Sequence, residues 1–310
     1  MSLSVSVPVL DRHAGTPSSA GAATDRDPWR LNADLHCHSS ISDGTLAPED
    51  VVARAHARGV QLLALTDHDE LGGQARAAAA ARSLGLAYVT GIEISVTWAG
   101  ETVHVIGLGI DPGEPRLAAG ISGVRSGRRA RALEMAEQLR VAGIEGAWDG
   151  ALRHVGNPDL VSRTHFARHL VESGVCADIG EVFQRYLVQG RPGYVPHRWA
   201  RLSEAVGWIA GAGGTAVLAH PGRYRLNDTA LWALIEEFRE AGGTAIEVVC
   251  GSHTRDQYGR FARIAREFDL RASRGSDFHG PGESRVELGS LPDLPDAVVP
   301  VWADWPCAIV

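Results

Sequence analysis

The chain has 310 residues, enough for one barrel-sized α/β domain or two smaller units around a substantial core. Its formal charge is −7 and all 30 basic side chains are arginine, which argues against broad adhesion to nucleic acid or anionic membrane but leaves room for a local arginine-lined groove. No apolar run approaches the roughly 20 residues that span a bilayer, and the four cysteines (Cys37, Cys176, Cys250, Cys307) form no C-x-x-C pair, so the chain reads as a cytoplasmic protein with reduced thiols.

Residues 1–30 lack the charged start and long apolar centre of a signal peptide and read as a disordered leader, with the fold starting near Leu31. The stretch Asp34-Leu35-His36-Cys37-His38-Ser39 reads as a short strand that presents His36 and His38 on one face and packs Leu35 and Cys37 on the other. Asp43-Gly44 closes the segment and adds a carboxylate to the two imidazoles. Pro48 and the acids Glu49 and Asp50 open a helix that Gly59 ends. Residues 60–65 form a run that is apolar except for Gln61, as expected of a strand buried on both faces, and lead into Thr66-Asp67-His68-Asp69. An alanine-rich helix follows to about Leu84, then a strand over 87–96 carrying Glu93, then a hairpin-like return over 101–110 carrying His104.

From Asp111 to about residue 200 the pattern is helical and arginine-rich, without strand–helix alternation, and predicts an inserted helical subdomain over 113–200. Its run Arg125, Arg128, Arg129, Arg131 puts charge on much of a helix circumference and reads as a solvated face. Alternation resumes near Leu202, with strands at 215–219, 245–250 and 270–273 and helices between them. These reach His220-Pro221-Gly222 and then Ser276-Asp277-Phe278-His279. The barrel is therefore expected over 31–112 and 201–290, with its site at the C-terminal strand ends and a proline-rich tail over 291–310.

Groups able to hold a metal close segment after segment: His36, His38, Asp43, His68, Glu93, His104, His165, Asp277 and His279. Their convergence is the argument, since an isolated strand-end histidine is more often a satisfied polar residue than a ligand. With no thiolate among them, the set suits Mn²⁺, Zn²⁺ or Fe²⁺ better than a structural cysteine-type zinc site.

The motifs D-L-H-C-H-S, D-G, T-D-H-D, G-I-E, H-V-I-G and S-D-F-H, in this order, resemble the polymerase-and-histidinol-phosphatase (PHP) metallophosphoesterases of the amidohydrolase superfamily. The likeness covers 33–110 and 214–280, and S-R-T-H-F-A-R, G-R-P-G-Y-V-P-H-R-W and A-H-P-G-R narrow it to the branch of 3′,5′-nucleotide bisphosphate phosphatases and the related RNase AM-type 5′-3′ exoribonucleases. The resemblance implies a distorted (β/α)7 TIM-like barrel with three divalent metal ions, Mn²⁺ first among them. One ion would take His36, His38, Glu93 and Asp277; a second, Glu93 as a bridge with His104 and His165; a third, Asp43, His68 and His279.

The implied activity is hydrolysis of the 3′-phosphate of a nucleoside 3′,5′-bisphosphate such as pAp, and of short 5′-phosphorylated RNA, by a metal-bridging hydroxide. Asp277 and His220 are the candidate catalytic residues, His220 as proton donor or phosphate contact. Arg163, Arg191, His197, His220, Arg223 and His253 are the candidate substrate contacts, Arg because it grips phosphate with two prongs. Asp67 and Asp69 are expected to orient ligands rather than to ligate. Tyr194 is a candidate to stack on a base. Neither a membrane nor a stable DNA duplex is an expected partner, and the rival readings are a phosphatase for a small metabolite such as histidinol phosphate or an inactive PHP binding module.

Overall fold

The computed structural model describes residues 30–305. Apart from Arg30, the expected leader lies outside that range, as does Cys307. Seven strands form one sheet in sequence order: β1 Ala33–Asp34, β2 Leu62–Leu65, β3 Ala87–Trp98, β4 Glu101–Leu108, β5 Thr215–Leu218, β6 Ala245–Cys250 and β7 Arg271–Gly275. All neighbouring pairs are parallel except those on either side of β4, which returns against β3 and lies antiparallel to β5.

Backbone hydrogen bonds close the sheet into a barrel. Leu35 N–H donates to Arg274 O (3.0 Å), Asp277 N–H to His36 O (2.8 Å) and His38 N–H to Phe278 O (2.8 Å). The segment after Asp34 is thus bonded to its neighbours without being a regular strand, which is why β1 is shorter than the sequence pattern suggests. The seam is tight. A Cβ on Gly275 would lie 2.2 Å from His36 Cβ, so only glycine lets β7 approach the histidine pair this closely.

The helices that flank the strands are α1 Pro48–Ala57, α2 Gln74–Leu84, α3 Pro115–Arg125, α4 Arg128–Val141, α5 Ala147–Leu152, α6 Arg163–Glu172, α7 Ile179–Val182, α8 Leu202–Gly211, α9 Asp228–Glu240 and α10 Arg255–Glu267. α1 starts at Pro48 with two acids in its first turn, and α2 ends before Gly85, whose φ of 67° supplies the left-handed turn. Residues of β2 and β6 are buried throughout, as strands covered on both faces must be.

Leu117 and Ile121 of α3 pack in the same core as α8, α9 and α10. The insertion's separate core begins at Ala132 of α4 and includes Met135, Leu139, Phe166 and Leu170. α3 therefore packs with the barrel, and the second cluster of buried residues starts about one helix later than the composition change. The tail also folds back: Ala272 N–H donates to Val299 O and Val301 N–H to Ala272 O (2.8 Å each). Val301 and Trp302 join the buried cluster that includes Leu35, Val89 and Val217. No helix among the described residues is long and apolar enough to cross a membrane.

Candidate metal centre and active site

Loops after β1, β2, β5 and β7, with Glu93 on β3 and His104 on β4, bring the donors to one end of the barrel. Glu93 lies at their centre, fully buried. Its Oε2 is 3.2 Å from His36 Nε2 and 3.3 Å from His38 Nε2, and Asp277 Oδ1 is 3.5 and 3.4 Å from the same two nitrogens. Its Oε1 is 2.8 Å from His104 Nδ1 and 2.9 Å from His220 Nε2, and those nitrogens are 3.3 Å apart. A third group gathers Asp43, His68 and His279, with His279 Nε2 3.4 Å and His68 Nε2 4.0 Å from Asp43 Oδ1. His68 leans toward Glu93 as well, its Nδ1 3.0 Å from Oε2.

His165 joins none of these groups among the described residues. It occupies the third position of α6, where its Nδ1 accepts the Ser162 N–H (2.9 Å) and completes a capping box. The place expected for it beside Glu93 and His104 is filled by His220. β5 pairs with β4 (Val105 with Leu218), and Ala219 N–H donates to His104 O, so the residue after Ala219 lands next to His104.

The electrostatics suit cations. Burial raises the Glu93 carboxyl, but the imidazoles of His68, His36 and His104 outweigh it and hold the group well below the usual carboxylate range. Burial lowers His38, yet Asp277 and Glu93 overturn that and bring it up to about 10. Burial takes His220 down to about 3 despite Glu93. His36 Nε2, His38 Nε2, Asp43 Oδ1 and Glu93 Oε2 are buried without hydrogen-bond partners. Buried polar atoms are normally satisfied. Orphans that converge on shared points, all oxygen or imidazole nitrogen, fit divalent cations.

The PHP domain family matches residues 34–249, from the opening histidine pair through the insertion to β6. The chain belongs to the PHP domain family. It is 54% identical over 273 residues to a 3′,5′-nucleoside bisphosphate phosphatase of Chromobacterium violaceum, covering 88% of this chain and 96% of the relative. A 5′-3′ exoribonuclease of Haemophilus influenzae is 43% identical over 269 residues, which is 87% of this chain and 97% of the relative. A solved amidohydrolase from Chromobacterium violaceum, with bound sulfate and no metal, superposes with a TM-score of 0.86 at 54% identity, covering 87% of this chain and 94% of its own.

In this PHP chain Asp67 and Asp69 contact the frame around the donors. Asp67 accepts from Ser39 N–H (2.8 Å), Ser39 Oγ (2.7 Å) and Ser42 Oγ (2.6 Å), fixing the loop that carries Asp43. Asp69 accepts from Ser95 N–H and Oγ and pairs with Arg128, which is 5% exposed and stacks 4.6 Å from the Trp199 ring. The arginine run is therefore not simply a solvated face: Arg128 ties the insertion to the barrel. α6 makes a second tie, for Thr164 Oγ1 donates to Asp43 Oδ2 (3.0 Å) and Arg168 Nη2 to Asp43 O (2.6 Å).

The candidate substrate contacts separate. A cavity of about 260 Å³ opens over the cluster, lined by His104, His220, Arg163, Arg223, Phe183 and Tyr194. A narrower one beside it, about 80 Å³, adds Arg131 and reaches Asp43, His68 and His279. Burial and the nearby Arg223 and Arg128 push the Arg163 guanidinium down; burial with Arg163 and Arg128 does the same to Arg131. Among the described residues Arg131 and Arg163 hydrogen-bond to backbone carbonyls, those of Val195 and Leu187. Crowded guanidinium groups at a cavity wall favour an anion between them. Arg223, half-exposed, reaches Asp277 Oδ2 at 3.0 Å.

The other three candidates lie elsewhere. Arg191 is exposed and lines neither cavity. His197 packs 4.2 Å from the Trp199 ring and lines neither cavity. His253 is 7% exposed, stacks on Phe261, lies 3.1 Å from Val248 O through Nδ1 and accepts the Gly222 N–H (3.0 Å) through Nε2. With both ring nitrogens engaged, it holds a turn and is not free to meet substrate.

Proposed function

We propose that this chain is a divalent-metal phosphoesterase that removes the 3′-phosphate of a nucleoside 3′,5′-bisphosphate, and that the same site trims short 5′-phosphorylated RNA. The observation that carries the reading is a single arrangement: overlapping groups of oxygen and imidazole donors gathered around Glu93, Asp277 and Asp43, beneath an arginine-lined cavity with Phe183 and Tyr194 in its wall. Relatives named for both activities support it.

Three ions, Mn²⁺ first among the candidates, would be held by His36, His38, Glu93 and Asp277; by Glu93, His104 and His220; and by Asp43, His68 and His279. When bound, such ions lower the pKa of water toward neutrality and neutralise charge on a phosphoryl group. We assign His220 to the second group in place of His165. Held neutral by burial, with Nε2 turned to Glu93, His220 is a donor there and not the acid for the leaving group. Arg163 and Arg131 grip phosphate oxygens in two-pronged contacts, and Arg223 can leave Asp277 for an incoming phosphate. Phe183 and Tyr194 offer aromatic faces to a base, as single-stranded substrates require.

The test is a panel on metal-reconstituted protein: pAp, AMP, a 5′-phosphorylated RNA trimer and histidinol phosphate. Phosphate release from pAp with none from histidinol phosphate is expected. The reverse order of rates would replace this reading with that of a small-metabolite phosphatase.

A further inference from the structure

We propose that Glu247 is a positioning residue that sets two metal ligands at once, His36 through its ring and His220 through its backbone. The inference rests on the reading of the donor cluster as metal sites.

Glu247 lies in β6, fully buried, in an otherwise apolar strand. Its Oε1 is 2.9 Å from His36 Nδ1, and its Oε2 accepts the His220 N–H at 2.6 Å. His36 Nε2 faces Glu93 and Asp277, so the ring proton belongs on Nδ1, where it is donated to Glu247. That hydrogen bond fixes the tautomer and the ring rotation that ligation through Nε2 needs.

The second contact addresses a backbone problem. His220 has φ 27° and ψ 56°, a left-handed conformation that a non-glycine residue holds only when its surroundings impose it. Glu247 supplies a charge-assisted acceptor at the start of this turn, and His253 accepts the Gly222 N–H at its end. With the turn so held, His220 Nε2 reaches Glu93 Oε1.

The pairing of β6 with β7 shifts register between Glu247 and Val249, leaving Val248 unpaired. Such a bulge re-aims the side chains beside it. One carboxylate therefore couples a ligand of the first cation group to a ligand of the second.

Glu247→Gln keeps the size but offers a single acceptor oxygen to two donors, and Glu247→Ala removes both contacts. Far-UV circular dichroism and unfolding of the chelator-treated proteins report the fold. Metal per chain by mass spectrometry, Mn²⁺ titration and the ¹⁵N shifts of the His36 imidazole report positioning without reference to activity. The expected result is a folded Gln variant that retains at least one fewer ion per chain and binds Mn²⁺ about 10- to 100-fold more weakly. Its His36 tautomers should be mixed, and kcat should fall far more than KM moves. Wild-type metal content with an unchanged His36 spectrum would overturn the proposal, and so would failure of both variants to fold in excess Mn²⁺, which would make the role structural. Wild-type protein that takes up no Mn²⁺ would instead overturn the underlying reading of the cluster.

Discussion

Glu93 Oε1 lies 2.9 Å from His220 Nε2, and this contact favours His220 over His165 for the second donor group we propose. His165 competes for the role on sequence grounds, but its Nδ1 accepts the Ser162 N–H, which places the neutral ring's proton on Nε2, a buried atom without a hydrogen-bond partner. His220→Ala should therefore lose at least one ion per chain and lower turnover at least about 100-fold, in line with the several kcal/mol a metal contributes. His165→Gln should keep the full complement. Metal analysis of the two variants side by side checks this, and loss of an ion from His165→Gln alone would reverse the assignment.

His165 carries a separate consequence for acid stability. Burial pushes its pKa down to about 4, whereas the unfolded chain has about 6.5. The folded state thus keeps the ring neutral while the unfolded state takes up a proton. Its contribution is complete above pH 6.5 and is lost as pH falls toward 4, about 2 kcal/mol by pH 5. Gln at this position preserves an acceptor for the Ser162 N–H but cannot titrate. Urea unfolding of the metal-free proteins at pH 7 and pH 5 should show wild type losing more stability than the variant by about that amount; equal losses would refute it.

Much of this site could be read from the sequence because strand ends are short and local. His68 follows an apolar run by three residues and Asp277 follows Gly275 by two, and the chemistry of H-x-H and D-x-H is visible without a fold. The choice between His165 and His220 was not visible, because it depends on β5 lying beside β4, a relationship formed across the whole insertion. Glu247 is legible as a lone acid inside the run 245–250, where a strand buried on both faces tolerates a charge only with a partner. The burial of Arg128 is not legible for the converse reason. Its helix is charged around its circumference, and nothing local reveals that Asp69 waits opposite it. Nor does the tail announce that Val301 and Trp302 return to the core.

The Arg128–Asp69 pair makes a prediction about folding. Both side chains are buried, so Arg128→Ala would strand the Asp69 carboxylate away from water while it still holds Ser95. Breaking one side of a buried pair costs about 3–5 kcal/mol. Denaturant unfolding should show a loss of that size, whereas Arg129→Ala, on the same helix but exposed and 5.4 Å over the Trp148 ring, should cost no more than about 1 kcal/mol.

Asp277 sits at φ 55°, a conformation that asparagine tolerates nearly as well as aspartate. Asp277→Asn should therefore keep the far-UV spectrum and cooperative unfolding. Its amide lacks the carboxylate charge that faces His36 and His38, and its ligand oxygen is a far weaker donor. Turnover should fall by at least about 1,000-fold, on the scale of losing a few kcal/mol of transition-state stabilisation. A variant with near-normal rates would remove Asp277 from the first donor group.

The arginines divide by where they stand, and kinetics can separate them. Arg163 is crowded at the cavity wall with only a backbone oxygen as acceptor, so a bound phosphate relieves its burial among like charges. Charge-assisted hydrogen bonds of this kind contribute about 1.5–3 kcal/mol, so Arg163→Ala should raise KM for pAp by about 10- to 100-fold with a smaller change in kcat. Arg191, exposed and outside both cavities, should leave KM within about twofold when replaced by Ala. Steady-state kinetics on the two variants at saturating Mn²⁺ make the comparison. A large KM effect at Arg191 with none at Arg163 would move the phosphate grip from the cavity wall to the 190–198 turn.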